Sequence, residues 1–239
     1  LRLRSGGGGL EPVIAAALMR EAVARWPRRP VFVVDPDLGE DPRWLDDLCG
    51  RLSDGGPRPP WACALDPRHI QPGVVLALAR AGCAWVHLDL DFLADDLPAT
   101  AQSPIRPAAA AIRALHRRNL AVRARVPVGT PESSPRSARS AVDFALHNHV
   151  DLALFGIHVP APGTPAFETL GWGPDQLVAA VTRPDRAAWR PPRWRSQEEV
   201  EEEWRSAWSR FYGSARWWRR IPRVKRRILS GAGRVVGEA

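Results

Sequence analysis

The chain has 239 residues, of which 45% are hydrophobic, and it carries a formal net charge of +8. This length suffices for one large α/β domain with an appendage, and the apolar content suffices for a core. The sequence shows neither a signal peptide nor an apolar run of about 18 residues, the length needed to cross a membrane. These features predict a cytoplasmic protein, either soluble or peripheral to a membrane. Because the chain begins with Leu1 rather than Met, a missing upstream region is expected.

The three cysteines are Cys49, Cys63 and Cys83, separated by 14 and 20 residues. This spacing matches neither a metal-binding knuckle nor the disulfide framework of a secreted protein. Each cysteine lies in an apolar pattern, which predicts a buried thiol. The positive charge is carried by arginine, since Lys225 is the single lysine.

Hydrophobic periodicity predicts one helix followed by strands that alternate with helices. The first helix covers Leu10 to Trp26 and has Pro12 near its start. Strands are predicted near residues 31, 61, 84, 120 and 151. The intervening helices are predicted, in order, from Pro42, from Pro72 to Gly82, from Ile105 to Arg118 and from Pro135 to His147. This alternation indicates a parallel α/β architecture with right-handed connections.

Changes in composition divide the sequence into four parts. Residues 1–9 predict a flexible lead-in, and residues 10–170 hold the strands and helices. Residues 171–195 form a proline-rich junction, and residues 196–239 form a basic, Arg/Trp-rich helical extension. From Arg205 to Arg234 this extension has ten basic residues and no acidic one. Its tryptophans are expected to pack on the α/β domain; contact with an anionic membrane surface is the alternative, and nucleic-acid binding is less favoured.

Polar and apolar residues alternate along the strand AWVHLDLD. The alternation places Trp85, His87, Asp89 and Asp91 on one face, and the apolar residues on the face that contacts helices. The same argument directs further polar side chains to the interior from other strands: Asp35, Arg123, Arg125 and His158. Charges removed from water must be paired, so a network of Asp, Arg and His is expected. Two interpretations stay open: the groups neutralise one another as part of the core, or they line a ligand pocket.

Four segments carry a resemblance to a known family: VFVVDPDLGEDPRWLDDLC, ARAGCAWVHLDLD, AVDFALHNHVDLALFGIHVPAPGTPAFE and SQEEVEEEWRSAWSRFYG. They are similar to the barrel and C-terminal extension of the radical SAM enzymes that have an upstream cobalamin-binding domain. The resemblance covers about Leu10 to Gly213. The family's barrel has six βα units, with cluster cysteines CxxxCxxC in the loop after the first strand. Here that strand and loop are not matched. The resemblance therefore implies an incomplete (β/α)6 barrel of the TIM type, with five parallel strands, the first missing, and a C-terminal helical extension.

The resemblance also implies cofactors and chemistry for the complete enzyme. Complete members use SAM, a 4Fe-4S cluster and cobalamin, and catalyse methyl transfer or carbon-skeleton reactions. Three dispersed cysteines cannot replace the cluster loop, so this chain alone is expected to hold no cofactor and to be inactive. Two positions where the family holds SAM also differ. The family's glycine-isoleucine-glutamate is matched by Asp89-Leu90-Asp91, and Asp66 stands where an arginine is often found.

Two functional interpretations follow from these matches and departures. In the first, the chain is a portion of an enzyme whose cobalamin domain and cluster loop lie upstream, and which acts on a small-molecule or lipid-like substrate. In the second, it is a cluster-free, catalytically silent binding or partner protein with a radical SAM fold.

The absent first strand leads to a further expectation. Without a preceding strand, one edge of Val31 to Asp35 would expose unpaired N–H and C=O groups. Exposed edges of this kind template association between chains. The isolated chain is therefore predicted to be poorly soluble or to self-associate through this edge.

Overall fold

The computed structural model describes residues 9–26, 30–35, 37–54, 61–91 and 104–225. Nearly all of the predicted lead-in, and residues 226–239 of the predicted extension, lie outside this part of the chain. The strands are β1 (Val31–Val33), β2 (Trp61–Ala64), β3 (Cys83–Asp89), β4 (Ala121–Val128) and β5 (Leu152–Ile157). The helices are α1 (Pro12–Arg25), α2 (Pro42–Ser53), α3 (Pro72–Arg80), α4 (Ile105–Arg117), α5 (Pro135–His147), α6 (Pro165–Leu170), α7 (Pro174–Thr182), α8 (Gln197–Tyr212) and α9 (Ala215–Trp218).

The five strands are parallel and lie in one sheet in the order β1-β2-β3-β4-β5. Phe32 of β1 is level with Ala62 of β2, which is level with Trp85 of β3. A doubly wound sheet would reverse its strand order at a switch point, whereas the strands of a barrel follow one another in chain order. The predicted fold class is confirmed: an α/β barrel segment of five parallel strands with a C-terminal helical extension.

Local capping chemistry fixes where the helices begin. Asp41 caps α2 by accepting a backbone hydrogen bond at 3.1 Å, and proline follows it at the first helical position. Ser134 and Ser137 form a reciprocal capping box at the start of α5, with distances of 3.3 and 2.8 Å. Ser196 accepts from the N–H of Glu199 at the start of α8. Each of these starts was predicted to within one residue because the signal lies in adjacent residues.

The chain divides into two compact units. The first unit comprises Leu1–Asp89, Arg106–Arg123 and Arg220–Ala239. Its core lies between the helices and one face of the sheet, where Val33, Trp61 and Val86 are completely buried. The indole N–H of Trp61 is satisfied by the carbonyl of Ala81 at 3.0 Å, so this large side chain brings no unpaired donor into the core.

The second unit comprises Leu90–Ile105 and Ala124–Arg219. Here α8 packs against α5 and β5, and the rings of Phe155 and Phe211 are buried together with centroids 5.9 Å apart. Arg210 of α8 pairs with Asp143 of α5 at 2.9 Å. Helix α8 of the extension is therefore an integral part of the core of this unit.

The outer edge of β5 is covered by aromatic side chains, which we term the aromatic edge cap (Trp204, Trp208, Tyr212 and Trp217). Successive residues of a strand direct their backbone groups to opposite edges. His158 donates to Val128 of β4, so residues 151, 153 and 155 face away from β4. All three are bonded by the cap: Trp204 and Trp208 donate to Phe155 O at 2.8 and 3.0 Å, Tyr212 donates to Ala153 O at 2.8 Å and accepts from Ala153 N at 3.2 Å, and Trp217 donates to Asp151 O at 3.0 Å.

The cap places most of the tryptophans of the predicted extension against the α/β core. Trp218 differs, since it is 59% exposed. No helix in the described part of the chain is long and apolar enough to cross a membrane.

Candidate ligand-binding site

Strand β3 presents one polar and one apolar face. Ala84, Val86 and Leu88 are fully buried, while Trp85 and His87 are half-buried and Asp89 is exposed. This is the alternation expected from the sequence of the strand. Exposure on the polar face rises towards the carboxyl end of β3, the end at which parallel α/β folds hold their ligands.

Within the first unit the sheet curves towards this polar face. Three strand spacings separate β1 from β4, or about 14 Å in a flat sheet whose side chains stand perpendicular to it. Yet Arg123 Cζ of β4 lies 5.9 Å from the ring centroid of Phe32 on β1. The ring of His87 also meets Phe32 edge-on, with centroids 6.4 Å apart. We term the surface formed by Phe32, Trp85, His87 and Arg123 the concave polar face.

The concave polar face contains nitrogen atoms with no hydrogen-bond partner. Among the described residues the buried side-chain atoms in this condition are Trp85 Nε1, His87 Nδ1 and Arg123 Nε. No carboxylate in the described part of the chain forms an ion pair with Arg123. Leaving a buried polar group unsatisfied costs about 1–3 kcal/mol, and most such groups in folded proteins are bonded. This face is therefore either hydrated or shaped for a ligand.

His87 does have a charged neighbour. Its Nε2 lies 3.3 Å from Asp89 Oδ1, and the two side chains are 12% and 48% exposed. Arg125 and Asp91, which belong to the second unit, pair with each other at 3.2 Å and are exposed by 46% and 57%. Four of the predicted polar residues thus lie in two contacting pairs, and Arg123 belongs to neither.

The three remaining predicted positions are Asp35, Asp66 and His158. Asp35 follows the end of β1 and is 2% exposed. Asp66 forms a two-pronged ion pair with Arg68, with contacts as short as 2.6 Å, and this hydrogen bonding lowers the pKa of Asp66. In the second unit His158 packs its ring against Trp189, whose indole donates to the carbonyl of His158 at 3.1 Å.

Two residues that the sequence analysis did not identify lie at the carboxyl ends of β1 and β2. The carboxylate of Asp37 accepts from the backbone N–H groups of Gly39 and Asp66, at 2.9 and 3.1 Å. Its second oxygen lies 2.5 Å from Nδ1 of His69. Asp37 thereby joins the loops that follow the two strands. The residues are 32 positions apart, so no local pattern could have paired them.

The three cysteines are buried free thiols. Burial is the main cause that raises the pKa of Cys49. A hydrogen bond with Cys83, and then burial, raise the pKa of Cys63. Cluster iron binds thiolates, whereas thiols with raised pKa values stay protonated. No group of three or more His, Cys, Asp or Glu side chains in the described residues is placed to hold a metal. These cysteines do not fit a 4Fe-4S cluster.

A separate cavity of about 300 Å³ lies in the second unit, beside α7. Trp172, Gln176, Arg183 and Arg186 contribute to its lining. The predicted site residues lie elsewhere, and Arg186 pairs at 3.2 Å with the buried carboxylate of Glu201.

Two solved structures of the radical S-adenosylmethionine methyltransferase TsrM from Kitasatospora setae resemble the fold of this chain. The one with cobalamin and a [4Fe-4S] cluster bound gives a TM-score of 0.57 at 17% identity, covering 82% of this chain and 41% of TsrM. The one with tryptophan substrate and the SAM analog aza-SAM bound gives 0.59 at 16% identity, covering 86% and 47%. The chain therefore shares the fold of the matching part of TsrM.

Sequence comparison gives a distant relative. The bacteriochlorophyllide d C-12(1)-methyltransferase of Chlorobaculum tepidum is 23% identical over 141 residues, which cover 57% of this chain and 30% of that protein. No family model matches the chain. The chain thus spans about a third of this relative, and less than half of TsrM.

Proposed function

We propose that this chain forms part of a methyltransferase-like enzyme of the B12-dependent radical SAM type, and that its concave polar face contacts the substrate. The observation that carries the proposal is the set of unpaired polar groups of Trp85, His87 and Arg123 on a sheet of radical SAM strand order. The likeness to TsrM and the match to a methyltransferase support the reaction class.

The proposal assigns the cluster to another segment of the enzyme. The three buried cysteines do not fit it, so SAM, the 4Fe-4S cluster and cobalamin belong to the complete enzyme, with the cluster on a CxxxCxxC loop outside these 239 residues. The residues of this chain would then bind and orient the substrate. Arg123 is the permanently charged group of the concave polar face, and Asp89 lies exposed at the carboxyl end of β3.

The reading frame upstream of Leu1 tests the proposal. We expect an in-frame CxxxCxxC loop preceded by a cobalamin-binding domain. The protein expressed from that longer frame should bind a 4Fe-4S cluster after anaerobic reconstitution and convert SAM to S-adenosylhomocysteine or 5′-deoxyadenosine when cobalamin is present. A start codon close to Leu1, with no cluster motif, would refute the proposal.

A cluster-free binding or partner protein is the second candidate. It is favoured by the raised thiol pKa values and by Asp89-Leu90-Asp91 at the position of the family's glycine-isoleucine-glutamate. Anaerobic reconstitution of the 239 residues alone is expected to yield no bound iron under either candidate. A stoichiometric 4Fe-4S spectrum from this chain would contradict both.

A further inference from the structure

The chemistry of the concave polar face specifies a ligand class. Trp85 Nε1 and Arg123 Nε are obligate N–H donors, and neither has an acceptor among the described residues. His87 Nδ1, which also lacks a partner there, is a donor in one of the two neutral tautomers of the ring. The complement of such a set is a group that only accepts hydrogen bonds.

The positive charge of Arg123 narrows the class of ligand further. Arg123 is permanently cationic, and it forms no ion pair with any residue of the described chain. Its contact to the ring of Phe32, 5.9 Å from Cζ to the centroid, is a cation–π contact and supplies no negative charge. A partly buried cation of this kind is stabilised by an anion, and guanidinium groups bind carboxylate and phosphate oxygens through paired hydrogen bonds.

The neighbouring strand leaves space for such a group. Strand β2 lies between β1 and β3, and its side chains level with Trp85 and His87 are Ala62 and Ala64. The methyl groups of these two alanines are small, so the larger side chains of β1, β3 and β4 form the walls of the concave polar face. Phe32 adds an apolar wall beside the donors.

We propose that the concave polar face binds the oxyanion of an organic ligand, a carboxylate or a phosphate, through Arg123 and Trp85 with His87 beside them. This inference rests on the proposed function, in which the concave polar face contacts the substrate. It adds the chemical class of that substrate.

The site can be tested by NMR on the ¹⁵N-labelled 239-residue chain, without turnover. Sodium phosphate and sodium acetate are titrated separately against sodium chloride of equal ionic strength. The indole N–H of Trp85, assigned from Trp85→Phe, and the Nε–H of Arg123 are followed. We expect saturable shifts of both signals with one shared dissociation constant. Saturation by phosphate alone would identify a phosphate site, and by acetate alone a carboxylate site.

Variants make the result specific. Arg123→Gln should weaken binding about tenfold or more, because it removes a charge-assisted contact. Trp85→Phe keeps a ring and removes one donor, so it provides a milder second variant if Arg123→Gln folds poorly. Arg113→Gln, at an exposed arginine of α4, is the matched control and should leave binding unchanged.

Two results would overturn the inference. One is a linear response indistinguishable from that to chloride. The other is binding that survives both Arg123→Gln and Trp85→Phe. The titration measures anion binding without SAM chemistry, so the two proposals fail separately. If no anion binds, the proposed function is still tested by the longer reading frame. If the SAM assay fails, the anion-binding result still stands.

Discussion

Replacing Tyr212 by phenylalanine tests the aromatic edge cap at a single atom. The hydroxyl oxygen of Tyr212 donates to Ala153 O at 2.8 Å and accepts from Ala153 N at 3.2 Å. Phenylalanine keeps the ring, which is stacked on Trp208 at 5.4 Å and meets Trp217 edge-on at 4.7 Å. The substitution removes two hydrogen bonds and leaves the two backbone groups of Ala153 without this partner. A net value of about 0.5–1.5 kcal/mol per bond, with a cost for stranded groups, gives a destabilisation of about 1–3 kcal/mol.

Urea denaturation followed by circular dichroism measures this loss, and hydrogen exchange locates it. The amide of Ala153 should exchange faster in Tyr212→Phe, because its protecting acceptor is gone. Trp218→Phe is the control: Trp218 is 59% exposed, and its replacement should change the free energy of unfolding by less than about 0.5 kcal/mol. An unchanged unfolding free energy for Tyr212→Phe, with Ala153 exchange as in the original protein, would refute the role of the cap.

Three further predictions concern the first unit. Gly39→Ala should destabilise the protein by about 1 kcal/mol or more in thermal denaturation, because the added Cβ would lie 2.7 Å from Cβ of His69. Gly50→Ala is the control and should not destabilise the protein, because its added Cβ would have nothing within 4 Å. Asp66, whose pKa is lowered by Arg68, stabilises the fold above its unfolded-state pKa, and this contribution is lost as pH falls through the lower folded value. In Arg68→Gln the NMR titration midpoint of Asp66 should therefore rise towards about 3.9, and an unmoved midpoint would show that Arg68 is not the cause. Val34, next to β1, has a side chain that is 51% exposed, and Val34→Lys should reduce self-association in analytical ultracentrifugation because a charged edge pairs poorly with another chain. A monodisperse monomer of the original chain would contradict the predicted exposed edge.

The sequence analysis missed the residues whose importance depends on distant partners. Asp37 has no local feature that marks it as the link between two loops, because its partner His69 lies 32 residues away. A carboxylate a few residues after a strand is a weak signal for such a position. The hydrogen bonds of the aromatic edge cap to β5 were missed for the same reason, since they connect residues 49 to 66 positions apart.

The sequence by itself determined the order of the five strands and of the helices between them, and the polarity of the two faces of β3. Helix α5 has the predicted bounds because its start is set by adjacent serines and its length by its apolar spacing. The alternation of β3 follows from the two-residue period of any strand. Only the tertiary structure decided which polar groups meet. Curvature of the sheet brings Arg123 to Phe32 across three strand spacings, where no carboxylate among the described residues pairs with it. No local rule contains that curvature.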